Sequence, residues 1–278
     1  MRSKAIILVI TLVLLAGLVG VSCSSGKKGT LADLMKQLPG DYDSIVFLDA
    51  ANLRADADLK ELYDGIAGSL LSGLEETSGL DISTVRSLAL ATESGTEAPI
   101  ILLNGDFKLQ ELGKALQEHD FTADTYKETE VWKRVEEDMY MAFVDSNSII
   151  ISAETGVQRS LDVIKGGAAS LYDNKDFKDV SGRLPSGLMT VLSRDSWIIG
   201  QSEDNVPKLT GIALLKKDKS TMTMSGVVKF GNADAAKAAL ETVQTDLQDE
   251  GTFRNISATQ DAEFAEFTAD ADISDIAF

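Results

Sequence analysis

Two stretches of this chain pass the same landmarks at spacings that agree within one residue, and that repeat limits the possible folds more than any single motif. One stretch opens at Gly105-Asp106 and the other at Gly231-Asn232. Each begins a helix with an apolar stripe, Leu109, Leu112 and Leu116 in the first and Ala236, Leu240, Val243 and Leu247 in the second. Spacings of three and four put such side chains on one helical face, and Asp or Asn at the start accepts a bond from otherwise unpaired amides. A strand-like segment follows at 131–136 or 256–261, 26 and 25 residues beyond the two glycines. A second follows at 139–144 or 264–269, at 34 and 33 residues.

The likeness extends upstream. Leu38-Pro39 precedes an apolar strand at 44–49, and Leu184-Pro185 precedes another at 187–193. A hairpin comes next in each half: 87–92 with 99–104 through Ser94-Gly95, and 210–215 with 221–230 through 216–220. Segment 221–230 sets Met222, Met224, Val228 and Phe230 on one face and Thr221, Thr223 and Lys229 on the other, the period of a half-buried strand. In the first half an amphipathic helix over 58–74 carries Leu59, Leu62, Ile66, Leu70 and Leu74 on one side, whereas Glu203-Asp204 and Pro207 oppose a full helix at the corresponding place in the second. The first half also gains a strand at 149–152 and a helix bearing Val157, Leu161 and Ile164. Each half reads β-α-β-β-α-β with one extra strand, the split βαβ order. The expectation is an α+β chain of two tandem ferredoxin-like halves, 38–166 and 184–278, joined by a connection at 167–183, with antiparallel sheets and helices on one face.

The first thirty residues carry a different signal. Met-Arg-Ser-Lys precedes an apolar run over 5–20 broken only by Thr11, then Gly20-Val21-Ser22-Cys23 leads into small and polar residues 24–30. Basic start, apolar middle and small residues make the layout of a secretory signal peptide. The small residues end on the single cysteine of the chain, and a lone thiol outside the cytoplasm is open to oxidation and mispairing. This segment resembles the lipobox of bacterial lipoproteins, with Gly20 where that pattern usually has Leu. The resemblance implies thioether lipidation of Cys23, cleavage before it and acylation of the new amino terminus. It divides the start into a signal peptide, 1–22, and a lipidated cysteine with tether, 23–37. The protein would be exported and held on the extracytoplasmic side of the cell membrane or the outer membrane. An uncleaved spanning helix remains an alternative, since the apolar run through Val21 is at the lower limit of about 17 residues.

Charge and residue supply narrow the partners. Against 26 Lys+Arg stand 44 Asp+Glu, a formal charge of -18. Removal of 1–22 takes two bases and no acid, leaving 24 against 44, or -20. Phosphate binding needs a basic face, so no nucleic-acid partner is expected. One His and one Cys exclude paired-histidine zinc and multi-thiolate centres, and no glycine-rich phosphate cradle or nucleophile elbow occurs. No cofactor, catalytic residue or metal site is therefore expected. His119 reads as a solvated helix end. The acidic groups Asp56/Asp58, Glu136-Glu137-Asp138, Glu203-Asp204 and Asp270/Asp272/Asp275 read mostly as surface, and none matches an EF-hand loop. Trp132 reads as core. Trp197 and Tyr172 are the two candidate ligand contacts. The body resembles uncharacterised bacterial envelope lipoproteins, which implies a membrane-anchored binding or interaction protein whose small-molecule or protein partner is unspecified. The alternatives are a carboxylate-based hydrolase of the cell envelope and a purely structural envelope component.

Overall fold

The structure, a computed structural model, describes residues 29–94, 99–195, 206–249 and 251–276. Among them run twelve strands, distributed between two compact units. A seven-stranded unit is made from 29–51 and 66–174, and a five-stranded unit from 52–65 and the chain after 175.

The seven-stranded unit begins with α1 (Leu31–Met35), β1 (Ser44–Leu48) and a helical run comprising α2 (Ala50–Ala55), α3 (Lys60–Tyr63), a π-helical turn (Asp64–Gly68) and α4 (Ser69–Ser78). That run carries the chain into the five-stranded unit and back. There follow β2 (Val85–Thr92), β3 (Ile100–Gly105), α5 (Leu109–Glu118), β4 (Thr122–Tyr126), β5 (Thr129–Arg134), β6 (Met139–Asp145), β7 (Ser148–Ser152) and α6 (Glu154–Ile164). The strands lie in the order β1-β2-β3-β7-β6-β5-β4 with every neighbour antiparallel. Register places Trp132, Met141, Ile151 and Ile101 on one face and Val131, Ala142, Ile150 and Leu102 on the other. α5 covers the first face: a Cβ on Gly113 would stand 3.1 Å from the Trp132 ring. α6 covers the second, where Tyr140 donates to Glu154 at 3.2 Å. Strands covered on both faces must be apolar throughout, and accordingly Ile149, Ile150 and Ile151 are all buried.

The five-stranded unit adds α7 (Lys175–Arg183), β8 (Met189–Ser193), β9 (Leu209–Lys216), β10 (Thr221–Lys229), α8 (Ala233–Asp249), β11 (Arg254–Asp261), β12 (Phe264–Asp272) and α9 (Ile273–Ile276). Its order is β8-β9-β10-β12-β11, again antiparallel. α8 packs on β11 and β12, and α7 on β8, β9 and β10. Residues 52–65 are held here by Lys216, whose ammonium donates to Asp58 at 2.8 Å and to Asp56 at 3.0 Å.

These arrangements correct the expected fold class. A split βαβ unit leaves its two strands parallel with another between them, whereas β1 pairs directly and antiparallel with β2, and β8 with β9. The halves are therefore not ferredoxin-like. Nor are they tandem, because 52–65 belong with the chain after 175. In the seven-stranded unit the helices cover both faces, not one. What the halves do share is a strand order. Reading β1-β2-β3-β6-β5 against β8-β9-β10-β12-β11, the seven-stranded unit differs by β7, inserted between β3 and β6, and by β4, added at the edge.

Candidate functional site

The interior strands of the seven-stranded unit bring three polar side chains to one height. Ser87 of β2 is opposite Asn104 of β3, and Asn104 is opposite Ser148 of β7. All three are buried, forming a polar row across three adjacent strands. A buried polar group needs a partner, and each member spends its hydrogen bonds on backbone or on the start of the chain. The Gly29 amide donates to Asn104 Oδ1 at 3.2 Å, and Ser87 Oγ donates to the Gly29 carbonyl at 2.9 Å. Asn104 Nδ2 donates to the Asn147 carbonyl at 3.0 Å, while Ser148 Oγ donates to Gln37 Oε1 at 2.7 Å. A Cβ on Gly29 would be 2.6 Å from Asn104 Cβ, so the close approach requires glycine. Thr30 then caps α1 at once: its Oγ1 accepts from the Asp33 amide, and Asp33 accepts from the Thr30 amide in a capping box. Leu34, Met35 and Leu38, fully buried, fasten the next turn.

A cleft of roughly 500 Å³ opens elsewhere on the same unit, between the 39–41 turn, α6 and the 168–174 segment. Its walls are held by main-chain bonds from Gly40 N–H to the Ala169 carbonyl and from Leu171 N–H to the Leu38 carbonyl. On one side stands Arg159, which donates to Glu93 at 2.8 Å and to Asp41 while stacking over Tyr42. Burial opposes its charge, but Glu93 and Asp41 outweigh that and raise its pKa. The Tyr42 hydroxyl is pushed up to about 12 by burial. On the other side the Lys127 ammonium and the Tyr126 hydroxyl both reach Asp162 Oδ1, and the lysine holds that carboxyl below the usual range. Ser170 and Asp173 form a second capping box around the turn that carries Tyr172. Tyr172 itself does not line the cleft: it is half-buried, with the Lys36 ammonium 5.1 Å from its ring centre. The arrangement offers two cations, Arg159 and Lys127, each engaged with acids, around small side chains and exposed backbone.

Other predicted positions fall as follows. Cys23 and Trp197 are outside the described residues. Trp132 is core, its indole donating to Glu130 at 3.0 Å. His119 is the C-cap of α5. Asp56 and Asp58 hold Lys216 instead of facing solvent alone, and Asp270 is buried, accepting from Lys217, Thr223 and Asn255. Burial would raise the Asp270 pKa, yet these three donors bring it down to about 2. Among the described residues no three His, Cys, Asp or Glu side chains are grouped to hold a metal ion. No described helix is long and apolar enough to cross a membrane. Sequence reading missed the polar row. Its signal was Asn104 closing the run Ile100-Ile101-Leu102-Leu103, a polar residue where an apolar strand would continue.

No protein-family profile matches the chain. An uncharacterised protein of Methanocaldococcus jannaschii, MJ0635, is 25% identical over 183 residues, or 65% of this chain. The match spans 64% of that relative's length. Solved structures of a protein designated TP0453 resemble the fold over 87% of this chain: crystal form III with a TM-score of 0.55, 8% identity and 95% of that chain covered, and crystal form IV with 0.53, 6% and 94%. At such identities the likeness is one of fold, and it covers the chain as a whole instead of one half repeated.

Proposed function

We propose that this chain is a lipid-anchored extracytoplasmic binding or interaction protein, tethered through Cys23. The observation that carries the reading is the order of the first thirty residues: basic start, apolar run, small residues, a single cysteine, then a polar linker leading to a folded body. Acyl chains contribute about 0.8 kcal/mol per buried CH₂, and two or more chains give stable attachment. Lys27 and Lys28 beside the anchor add attraction to anionic lipid of ~1 kcal/mol each. An acidic body on such an anchor stays above a like-charged surface and remains available to partners. The cleft beside Arg159 is the surface we assign to the ligand, because its main-chain groups are held in place by the Ser170–Asp173 capping box and paired turns. Pre-set polar groups lower the cost of ordering on binding.

Cys23→Ser tests the reading. The variant should leave the membrane fraction for the soluble fraction and lose incorporation of labelled fatty acid. Retention of an unlabelled wild-type protein in membranes would replace the lipid anchor with a spanning helix.

A further inference from the structure

The polar row fixes the place where the chain leaves the seven-stranded unit. Gly29 is bonded through both its amide and its carbonyl, and Thr30 begins a capped helix, so no slack remains after residue 29. Gly29 is six residue steps beyond Cys23, with five residues between them. A chain extends at most ~3.6 Å per residue, so those six span no more than about 22 Å.

The row is at one end of its strands. Ser87 is near the start of β2, Asn104 near the end of β3 and Ser148 at the start of β7. The turn 145–147 and Lys108 lie at that same end, whereas Thr92, Ser94 and the Arg159–Glu93–Asp41 pairs lie at the other. From Ser87 to Thr92 the strand rises about 17 Å at ~3.4 Å per residue.

At the end near Gly29 the cations are matched: Lys36 with Asp33, Arg86 with Asp106 and Lys108 with Glu111. Asp49, Asp81, Glu128, Glu130 and Asp145 lie at that end as well. At the opposite end Asp41 and Glu93 share one arginine, and Asp43 adds another acid.

We infer that the Ser87–Asn104–Ser148 end of the seven-stranded unit is its membrane-facing surface, held within about 22 Å of the lipid headgroups, with the Asp41–Glu93–Arg159 end turned away. The inference rests on the anchoring proposed above. The polar row then puts the attachment point of the tether at that end of the unit that carries the cleft.

The test uses the full lipidated protein in phosphatidylethanolamine/phosphatidylglycerol vesicles containing a nitroxide-headgroup lipid. A fluorophore is placed at Lys108→Cys or Ser94→Cys, both at exposed positions. Quenching at position 108 should exceed that at position 94 at least twofold, and twenty Gly/Ser residues inserted after Ser25 should abolish the difference. Equal or reversed quenching in protein whose mass confirms a lipidated Cys23 overturns the orientation and leaves the anchor standing. Fluorophore coupling to Cys23 itself shows a free thiol there, and both proposals fall.

Discussion

Asp270 shows how much a single buried carboxylate does in the five-stranded unit. One oxygen accepts from Lys217 at 2.6 Å and Asn255 at 2.8 Å, the other from Thr223 at 2.7 Å. It therefore ties β10 to the irregular start of β11, where Asn255 adopts a left-handed backbone at φ 52°. Its pKa is about 2 in the folded chain against 3.8 for the free group. A depressed carboxylate stabilises above its unfolded pKa and loses that contribution as pH falls through the folded value. Wild-type protein should thus lose about 1–2 kcal/mol between pH 5 and pH 2 that Asp270→Asn does not. Urea unfolding of both proteins across that range checks it, and parallel pH profiles would contradict it. The sequence showed Asp270 only as one acid among many in its acidic tail. Its burial follows from facing Thr223 across the β10–β12 pair, a relation between residues 47 positions apart.

At the scale of elements, legibility followed local period. The apolar strands were readable, and so were α5 and α6, because their side chains repeat at two or at three and four. β4 was not readable. Thr122-Ala123-Asp124-Thr125-Tyr126 has no buried face, and it exists as a strand because Lys127 and Glu128, at φ 47° and 64°, fold it back on β5. Two left-handed residues make that tight hairpin, but Lys-Glu is not the pair from which such a turn is inferred. The helix over 58–74 was half legible. Its expected stripe includes Ile66 and Leu70, yet from the π turn onward the buried positions are Ala67 within the turn and Leu71 beyond it, with Leu74 buried as expected, since one extra residue in the turn shifts the stripe. α7 illustrates docking by charge. Lys229 of β10, buried beside Phe264, donates to Asp179 at 2.7 Å and Asp176 at 2.9 Å. Lys229→Met removes both bonds but leaves two carboxylates that water can reach, so the loss should be about 1–3 kcal/mol, below the ~3–5 kcal/mol of a fully buried pair. Amide exchange should quicken through α7 while β7 keeps its protection; unchanged exchange in α7 would contradict the role.

At the scale of the whole molecule, the repeat seen in the sequence corresponds to a strand order, not to the ferredoxin-like topology read from it. Period and spacing report which segments are strands and helices; they do not report which strand each one pairs with. The insertion of β7 between β3 and β6 and the return of 52–65 to the five-stranded unit through Lys216 are long-range contacts, 158 and 160 residues apart in the second case. The two-sided cover of the seven-stranded sheet did have a local sign in the unbroken Ile149-Ile150-Ile151 run, because a strand with one wet face alternates. Of the candidate site the sequence singles out only Tyr172, next to it in the chain; the site's acids Asp41, Glu93 and Asp162 are not among the acidic groups read from the sequence, and the cleft and the polar row exist only once 29–41 and 168–174 are folded back on their strands.

The proposed anchor governs where all of this chemistry operates, and the intact mass of the amino-terminal peptide from membrane-extracted protein addresses it most directly. The account predicts a peptide that begins at Cys23 and carries a thioether lipid with acylation of its amino group. A peptide beginning at Met1, with Cys23 bearing an unmodified thiol, would contradict it.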